Sequence, residues 1–132
     1  MKQITVVARN RAGLMADVSG ALAAAGINIE NADAQSFTDS AVIILTVDRY
    51  DDALRALRAV PEITAMSEDA FLVRLHNEPG ALAQLSRRFA DAGINIRSIR
   101  FLPRDAEHAL VAISAERPAV AAGLVRDLLV QG

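Results

Sequence analysis

The stretch AAAGINIENA, Ala23–Ala32, returns as ADAGINIRSI, Ala90–Ile99. Both carry Ala-Gly-Ile-Asn-Ile, 67 residues apart. No hydrophobic core needs that string, so a duplicated unit, a turn of special geometry used twice, or both must account for it. Moving outward at the same separation, Asn10 falls on Asn77, Gly13 on Gly80, Ala16 on Ala83 and Ser19 on Ser86. Between residues 9–32 and 76–99, ten of 24 positions are identical without a gap. Further on, AVIILTV (41–47) overlies HALVAIS (108–114), and Leu57 overlies Leu124. Convergence on a turn would not hold the register that far. The pattern is that of a tandem repeat, with units over 1–68 and 69–132.

Each unit reads alike. QITVVA (3–8) and AFLVRL (70–75) are rich in β-branched and aromatic residues and suit strands. Gly13 and the pair Pro79-Gly80 then punctuate the chain. Met15, Val18, Leu22 and Ala25 form a stripe at helical spacing, as do Leu82, Leu85, Phe89 and Ala92. Gly26 and Gly93 stand where a helix stop takes a positive φ. The following strands, 27–37 and 94–102, change the phase of their alternation at the same place, which a β-bulge, or a turn feeding the strand, would explain. Turns are expected at 37–40 and 103–108, third strands at 41–48 and 109–114. Second helices are expected at about 50–60, with Asp48 as N-cap, and at about 117–130, with Pro118 in the first turn. Residues 63–69 read as a fourth strand, whose counterpart in the second unit is short or absent. The fold class is α+β: two ferredoxin-like βαββαβ units, each an antiparallel sheet with helices on one face. Side-by-side pairing of the units into one sheet of seven or eight strands is the expected arrangement.

Composition narrows the function. The chain has 132 residues, 52% of them apolar, with no cysteine and a net charge of −2. Disulfides, thiolate metal sites and thiol nucleophiles are excluded. Charge gives no long-range pull on nucleic acid or anionic lipid. The N-terminus lacks the apolar region of a signal peptide, and no run approaches the roughly 18–20 apolar residues of a membrane span. A cytoplasmic protein with no nucleic-acid and no membrane partner is the simplest reading. No His/Asp/Glu spacing suggests a metal, and no cofactor is expected. Arg97, Arg100 and Arg104 cluster near one strand and read as a solvated edge; His108 stands at a strand start.

At RNRAG (9–13) and HNEPG (76–80), each followed one helix later by AGINI, the sequence resembles the ACT domain family. The resemblance rests on Asn10, Gly13, Gly26, Ile27, Asn28 and Ile29, and again on Asn77, Pro79, Gly80, Gly93, Ile94, Asn95 and Ile96. It implies a regulatory domain that binds a small ligand, most often an amino acid, and controls an enzyme or transcription factor. In serine-binding members the contacts come from the first loop and the start of the second strand. Those positions here are Asn10 with Asn28, and Asn77 with Asn95. The histidine that some members place two residues before the loop Asn is replaced by Ala8 and Leu75, so serine itself is not implied. His76 is one residue off.

The residues support such a site on physical grounds. A zwitterion needs donors for its carboxylate and acceptors for its ammonium. The loop-to-helix junction offers free amides and the positive end of the helix dipole. Gly13 and Gly80 permit close backbone approach. Asn supplies a donor and an acceptor without net charge. The expected ligand-binding set is Asn10, Arg11, Ala12, Gly13, Leu14, Asn28 and Ile29 in the first unit, and Asn77, Glu78, Pro79, Gly80, Ala81, Asn95 and Ile96 in the second. Arg11 and Glu78 occupy one loop position with opposite charge, so the two sites are not equivalent, and the second is favoured.

Rival classes fare worse. Acylphosphatases share the βαββαβ unit but need a phosphate-binding loop with a buried Arg, and the two loops carry Arg11 and Glu78. RNA-binding modules of this topology stack bases on strand aromatics, and AVIILTV and ALVAIS have none. The remaining alternative is a regulatory subunit that assembles on a metabolic enzyme without a ligand. A homodimer is expected in either case, because the stunted end of the second unit leaves a sheet edge open.

Overall fold

The β-branched run QITVVAR forms the first strand, β1 (Gln3–Arg9), in the computed structural model of the chain, which describes residues 2–37, 39–104 and 107–130. It is followed by α1 (Leu14–Ala24), β2 (Ile29–Phe37), β3 (Ser40–Val47), α2 (Tyr50–Arg58) and β4 (Ile63–Met66). The second half repeats the order as β5 (Ala70–His76), α3 (Ala81–Asp91), β6 (Ile96–Arg104), β7 (His108–Ala115) and α4 (Pro118–Leu124). The chain divides between Glu68 and Asp69 into two compact units. All ladders are antiparallel. The first sheet runs β2-β3-β1-β4 and the second β5-β7-β6. Among the described residues these are two separate sheets, not the one continuous sheet expected. Nor is any helix there long and apolar enough to cross a membrane.

Each unit has its own core. In the first, Ile4, Val6, Ile43 and Leu45 meet Val18 and Leu22 of α1 and Ala53 and Leu57 of α2. In the second, Val73, Leu75, Val111 and Ile113 meet Leu85 and Phe89 of α3 and Ala121 of α4. The expected helix stripes hold at their centres, Val18 with Leu22 and Leu85 with Phe89, and fail at their ends. Leu14, Val18 and Leu22 are buried, whereas Met15 is 38% exposed and Ala25 lies in solvent. In α3, Leu85 and Phe89 are buried, Leu82 is half-buried and Ala92 is exposed. The helix begins at the residue after each glycine, and its i, i+4 ridge faces the sheet.

The repeated AGINI string has a structural cause. Gly26 and Gly93 take φ of 73° and 70°. Gly26 N–H donates to Ala23 O at 3.0 Å and Ile27 N–H to Leu22 O at 2.9 Å. Gly93 and Ile94 do the same to Ala90 and Phe89, at 3.1 and 2.9 Å. This is the Schellman helix stop, with its apolar contact supplied by Ile27 on Leu22 and Ile94 on Phe89, all four buried. The second Ile of each string then opens a strand. Of the two explanations for the phase change, the bulge is the one found: pairing slips between Ile29 and Asn31 and between Ile96 and Ser98, leaving Glu30 and Arg97 as the extra residues.

The repeat register is not constant. Val6 pairs with Ile43 and Val73 with Val111, so the first strands are 67 residues apart and the third strands 68. AVIILTV therefore overlies ALVAISA (109–115). A second slip between Phe101 and Arg104 absorbs the extra residue at Pro103, which suits an edge strand because proline lacks the ladder donor. Residues 103–104 accordingly belong to β6 and not to a turn. Thr38, Asp105 and Ala106 of the expected turns lie outside the described residues. In the corrected register Ala53 matches Ala121 and Leu57 matches Val125, all fully buried.

The last element departs most. α4 ends at Leu124, well short of the helix expected over 117–130. Arg74 N–H donates to Leu128 O and Val130 N–H to Leu72 O, each at 2.9 Å, around a single bridge between Val73 and Leu129. Residues 128–130 thus do for β5 what β4 does for β1, in reduced form. Arg88 of α3 holds this end through Asp127 at 2.7 and 3.1 Å and Leu124 O at 3.2 Å. The hydrogen bond from Arg88 keeps the Asp127 carboxyl below the usual carboxylate range, against a smaller opposing effect of desolvation.

The helix phase is directly testable. Leu14→Ala is expected to cost about 2–5 kcal/mol, and Met15→Ala to stay within about 0.5 kcal/mol of the unsubstituted chain, by urea denaturation. Equal losses would contradict the burial described here.

Candidate ligand-binding site

Gly13 and Gly80 are the N-cap residues of α1 and α3, with φ of 86° and 88°. A side chain at either position would strain the left-handed backbone by about 1–2 kcal/mol. Asp17 N–H donates to Gly13 O at 2.9 Å, and Gln84 N–H to Gly80 O at 3.0 Å. No side chain caps either helix. Leu14 N–H and Ala81 N–H donate back to Arg11 O and Glu78 O at 3.4 Å each, and the next amides of the first turn face outward, with the positive end of the dipole behind them.

The two loops differ in what lies over these amides. In the first, the Arg11 guanidinium bonds Asp17 Oδ2 at 2.6 Å and Ala12 O at 3.4 Å. It lies 3.7 Å from where a Cβ on Gly13 would sit. The first loop is thus covered by its own arginine. In the second, Glu78 replaces Arg11, and an open pocket of about 190 Å³ stands against the loop. It is lined by Leu75, His76, Asn77, Glu78, Gly80, Ala81, Leu82, Phe101 and Ala109.

The loop asparagines anchor neighbouring turns. Asn10 N–H donates to Asp39 O at 2.7 Å, and its Nδ2 to Ser36 Oγ at 3.3 Å. Asn77 N–H donates to Glu107 O at 2.7 Å. Asn28 and Asn95 are held by backbone. Asn28 N–H donates to Asp48 Oδ1 at 3.0 Å and its carbonyl accepts from Asp48 N–H at 3.2 Å. Glu116 repeats this on Asn95 at 2.9 and 3.1 Å. Asp48 is therefore not the α2 N-cap. Arg49 takes that position, and the Asp48 carboxylate spans to the strand opposite. Among the described residues, no hydrogen bond reaches the carboxamides of Asn28 and Asn95.

Geometry separates the expected pairs. Asn10 bonds Ser36, near the end of β2, whereas Asn28 precedes its start. Eight residues of strand put them roughly 25 Å apart, too far to grip one amino acid. The same holds for Asn77 and Asn95 across β6. Within a unit the two carboxamides do not converge, because they sit at opposite ends of the sheet. Of the remaining expected residues, Leu14 is core; Ile29, Ile96 and Ala81 are half-buried against the cores; Ala12 and Pro79 are exposed loop positions.

One pairing escaped the sequence reading. His76 and His108 are direct cross-strand partners, with ring centroids 5.3 Å apart. The signal was the antiparallel pairing of 70–75 with 109–114, which extends by one step to these two residues.

Duplicated βαββαβ units, each with a left-handed glycine at the start of its first helix, define a tandem ferredoxin-like module. The chain belongs to the ACT domain family, whose profile matches residues 2–62 and 70–117. Similarity to solved structures is as follows. A protein of Bacteroides thetaiotaomicron has a TM-score of 0.48 at 20% identity, over 98% of this chain and 90% of that one. The ligand-free regulatory subunit of aspartate kinase from Thermus thermophilus has 0.44 at 24%, over 96% and 91%. The ACT domain of a GTP pyrophosphokinase from Chlorobium tepidum has 0.42 at 17%, over 50% and 94%. No curated protein matches the sequence.

The clasp at the strand start separates backbone from side-chain roles. Asp48→Ala and Glu116→Ala should each cost about 1 kcal/mol by chemical denaturation. Asn28→Ala keeps both backbone bonds and should cost less than about 0.5 kcal/mol. A larger loss on Asn28→Ala would give its carboxamide a structural role.

Proposed function

We propose that the chain is a non-catalytic regulatory protein that binds a small amino acid at the β5–α3 loop and controls a metabolic enzyme or regulator. The observation that carries this reading is the open pocket of about 190 Å³ beside that loop. It is smaller than the roughly 300–1,000 Å³ of pockets for drug-sized ligands, which suits a small metabolite. The uncapped amides of α3 take the carboxylate. The Glu78 carboxylate and the Asn77 carboxamide accept from the ammonium. Leu75, Leu82, Phe101 and Ala109 favour an aliphatic side chain. In the first loop a guanidinium stands where Glu78 would be, and it repels the ammonium end. The stoichiometry that follows is one ligand per chain.

A thermal-shift panel of the common amino acids tests this. A ligand at 100 times its Kd should add about 2.7 kcal/mol of stability. Glu78→Gln should weaken binding about tenfold or more, or about 1.4 kcal/mol, while Arg11→Ala leaves it unchanged. If none of the twenty stabilises the chain, the ligand reading fails and a ligand-independent assembly role takes its place.

The edge strands support a homodimer. β2 and β6 are exposed sheet edges, and their equivalent positions carry opposite charge: Glu30 against Arg97, Asp33 against Arg100. Antiparallel pairing of β2 from one copy with β6 of another sets Glu30 opposite Arg100 and Asp33 opposite Arg97 in a single register. It also brings Asn28 of one copy towards the loop end of β6 in the other, where a second carboxamide is otherwise missing. Sedimentation at micromolar concentration should give a dimer mass that falls on Arg97→Glu with Arg100→Glu and returns when Glu30→Arg and Asp33→Arg are added. A monomer in low salt, or indifference to the reversal, would rule this pairing out.

A further inference from the structure

We propose that His76 and His108 form a two-histidine site for a divalent transition-metal ion such as zinc, nickel or copper. The residues stand 32 apart in sequence, but the β5–β7 ladder makes them direct partners. Successive side chains alternate across a strand, so directly paired residues project to the same face. The Asn77 N–H to Glu107 O bond, at 2.7 Å, closes the ladder immediately beyond them. The pair is therefore positioned by backbone, which lowers the ordering cost of binding.

The spacing fits a shared ion. A Zn–N bond of about 2.0–2.1 Å places an imidazole centroid about 3.2 Å from the metal, and the tetrahedral angle then sets two centroids about 5.2 Å apart. The observed separation is 5.3 Å. Aromatic packing tolerates a similar spacing, so the chemistry of the rings decides. Two imidazoles on a half-exposed strand end are accessible to an ion from solvent, and imidazole is a preferred ligand of zinc, copper and nickel. Glu107 precedes His108 in the chain, and Glu78 lies two residues beyond His76. Among the described residues no third His, Cys, Asp or Glu completes a cluster. Two protein ligands leave coordination positions for water or an incoming donor. The proposal does not depend on amino-acid binding at the adjacent pocket.

The test is calorimetric titration of the tag-free chain with ZnCl2, NiCl2 and CuCl2 in a non-coordinating buffer. One ion per chain is expected, with copper tightest. His76→Gln and His108→Gln should each lose at least about tenfold in affinity, to the level of the double variant, because a chelate needs both rings. Retention of full affinity by either single variant, or equal binding by the double variant, overturns the site. Melting without metal controls for the fold of the variants. Independently, zinc added to the labelled wild-type chain should shift amide resonances at the paired ends of β5 and β7, and shifts elsewhere would overturn the assignment.

Discussion

The unit depends on a hydrogen bond that reverses the chain after its first helix. Ile27 N–H reaches back to Leu22 O, and Ile94 N–H to Phe89 O. The bond requires the preceding residue to adopt a left-handed backbone, which glycine does without penalty. It buries an isoleucine on the helix it has just terminated and aims the chain into an edge strand. The bulge at Glu30 or Arg97 then restores the alternation that the turn has displaced. Core face, edge strand and clasp all follow from that one reversal, which explains why five residues survive duplication while their neighbours drift.

Duplication with divergence has separated two roles of the same loop. The left-handed glycine and uncapped helix are kept in both copies, since they make the strand-to-helix turn. The residue after the asparagine has reversed its charge. Arg11 folds onto Asp17 and occupies its own loop, whereas Glu78 borders open space. The architecture tolerates either because the position is exposed and outside the core. Charge inversion at Glu30 and Arg97, and at Asp33 and Arg100, follows the same logic on the sheet edges.

The repeat, the helix stops and the bulges were legible in the sequence because each depends on contacts a few residues apart. Glycine position and alternation phase encode them directly. The core position in the first turn of α1 was not, since Leu14 and Met15 are adjacent and both apolar, and only the sheet decides which is inside. The role of Asp48 was hidden because its partner, Asn28, lies 20 residues away. The shift of register at Pro103 was masked by the similar apolar runs on either side. Family resemblance pointed to Asn10 with Asn28, but it does not report that the two lie at opposite ends of one sheet. The histidine pair was missed for the opposite reason: strand pairing, not sequence spacing, brings it together.

The shortened close of the second unit has a dynamic consequence. β1 is flanked on both sides by regular strands, while β5 has β7 on one side and only a bridge around Val73 and Leu129 on the other. Fewer backbone bonds must break to free that edge, so its amide protons exchange with solvent through smaller openings than those of β1. The strand that leads into the Glu78 loop is thus the more compliant of the two copies, and breathing there can be damped by whatever settles against it.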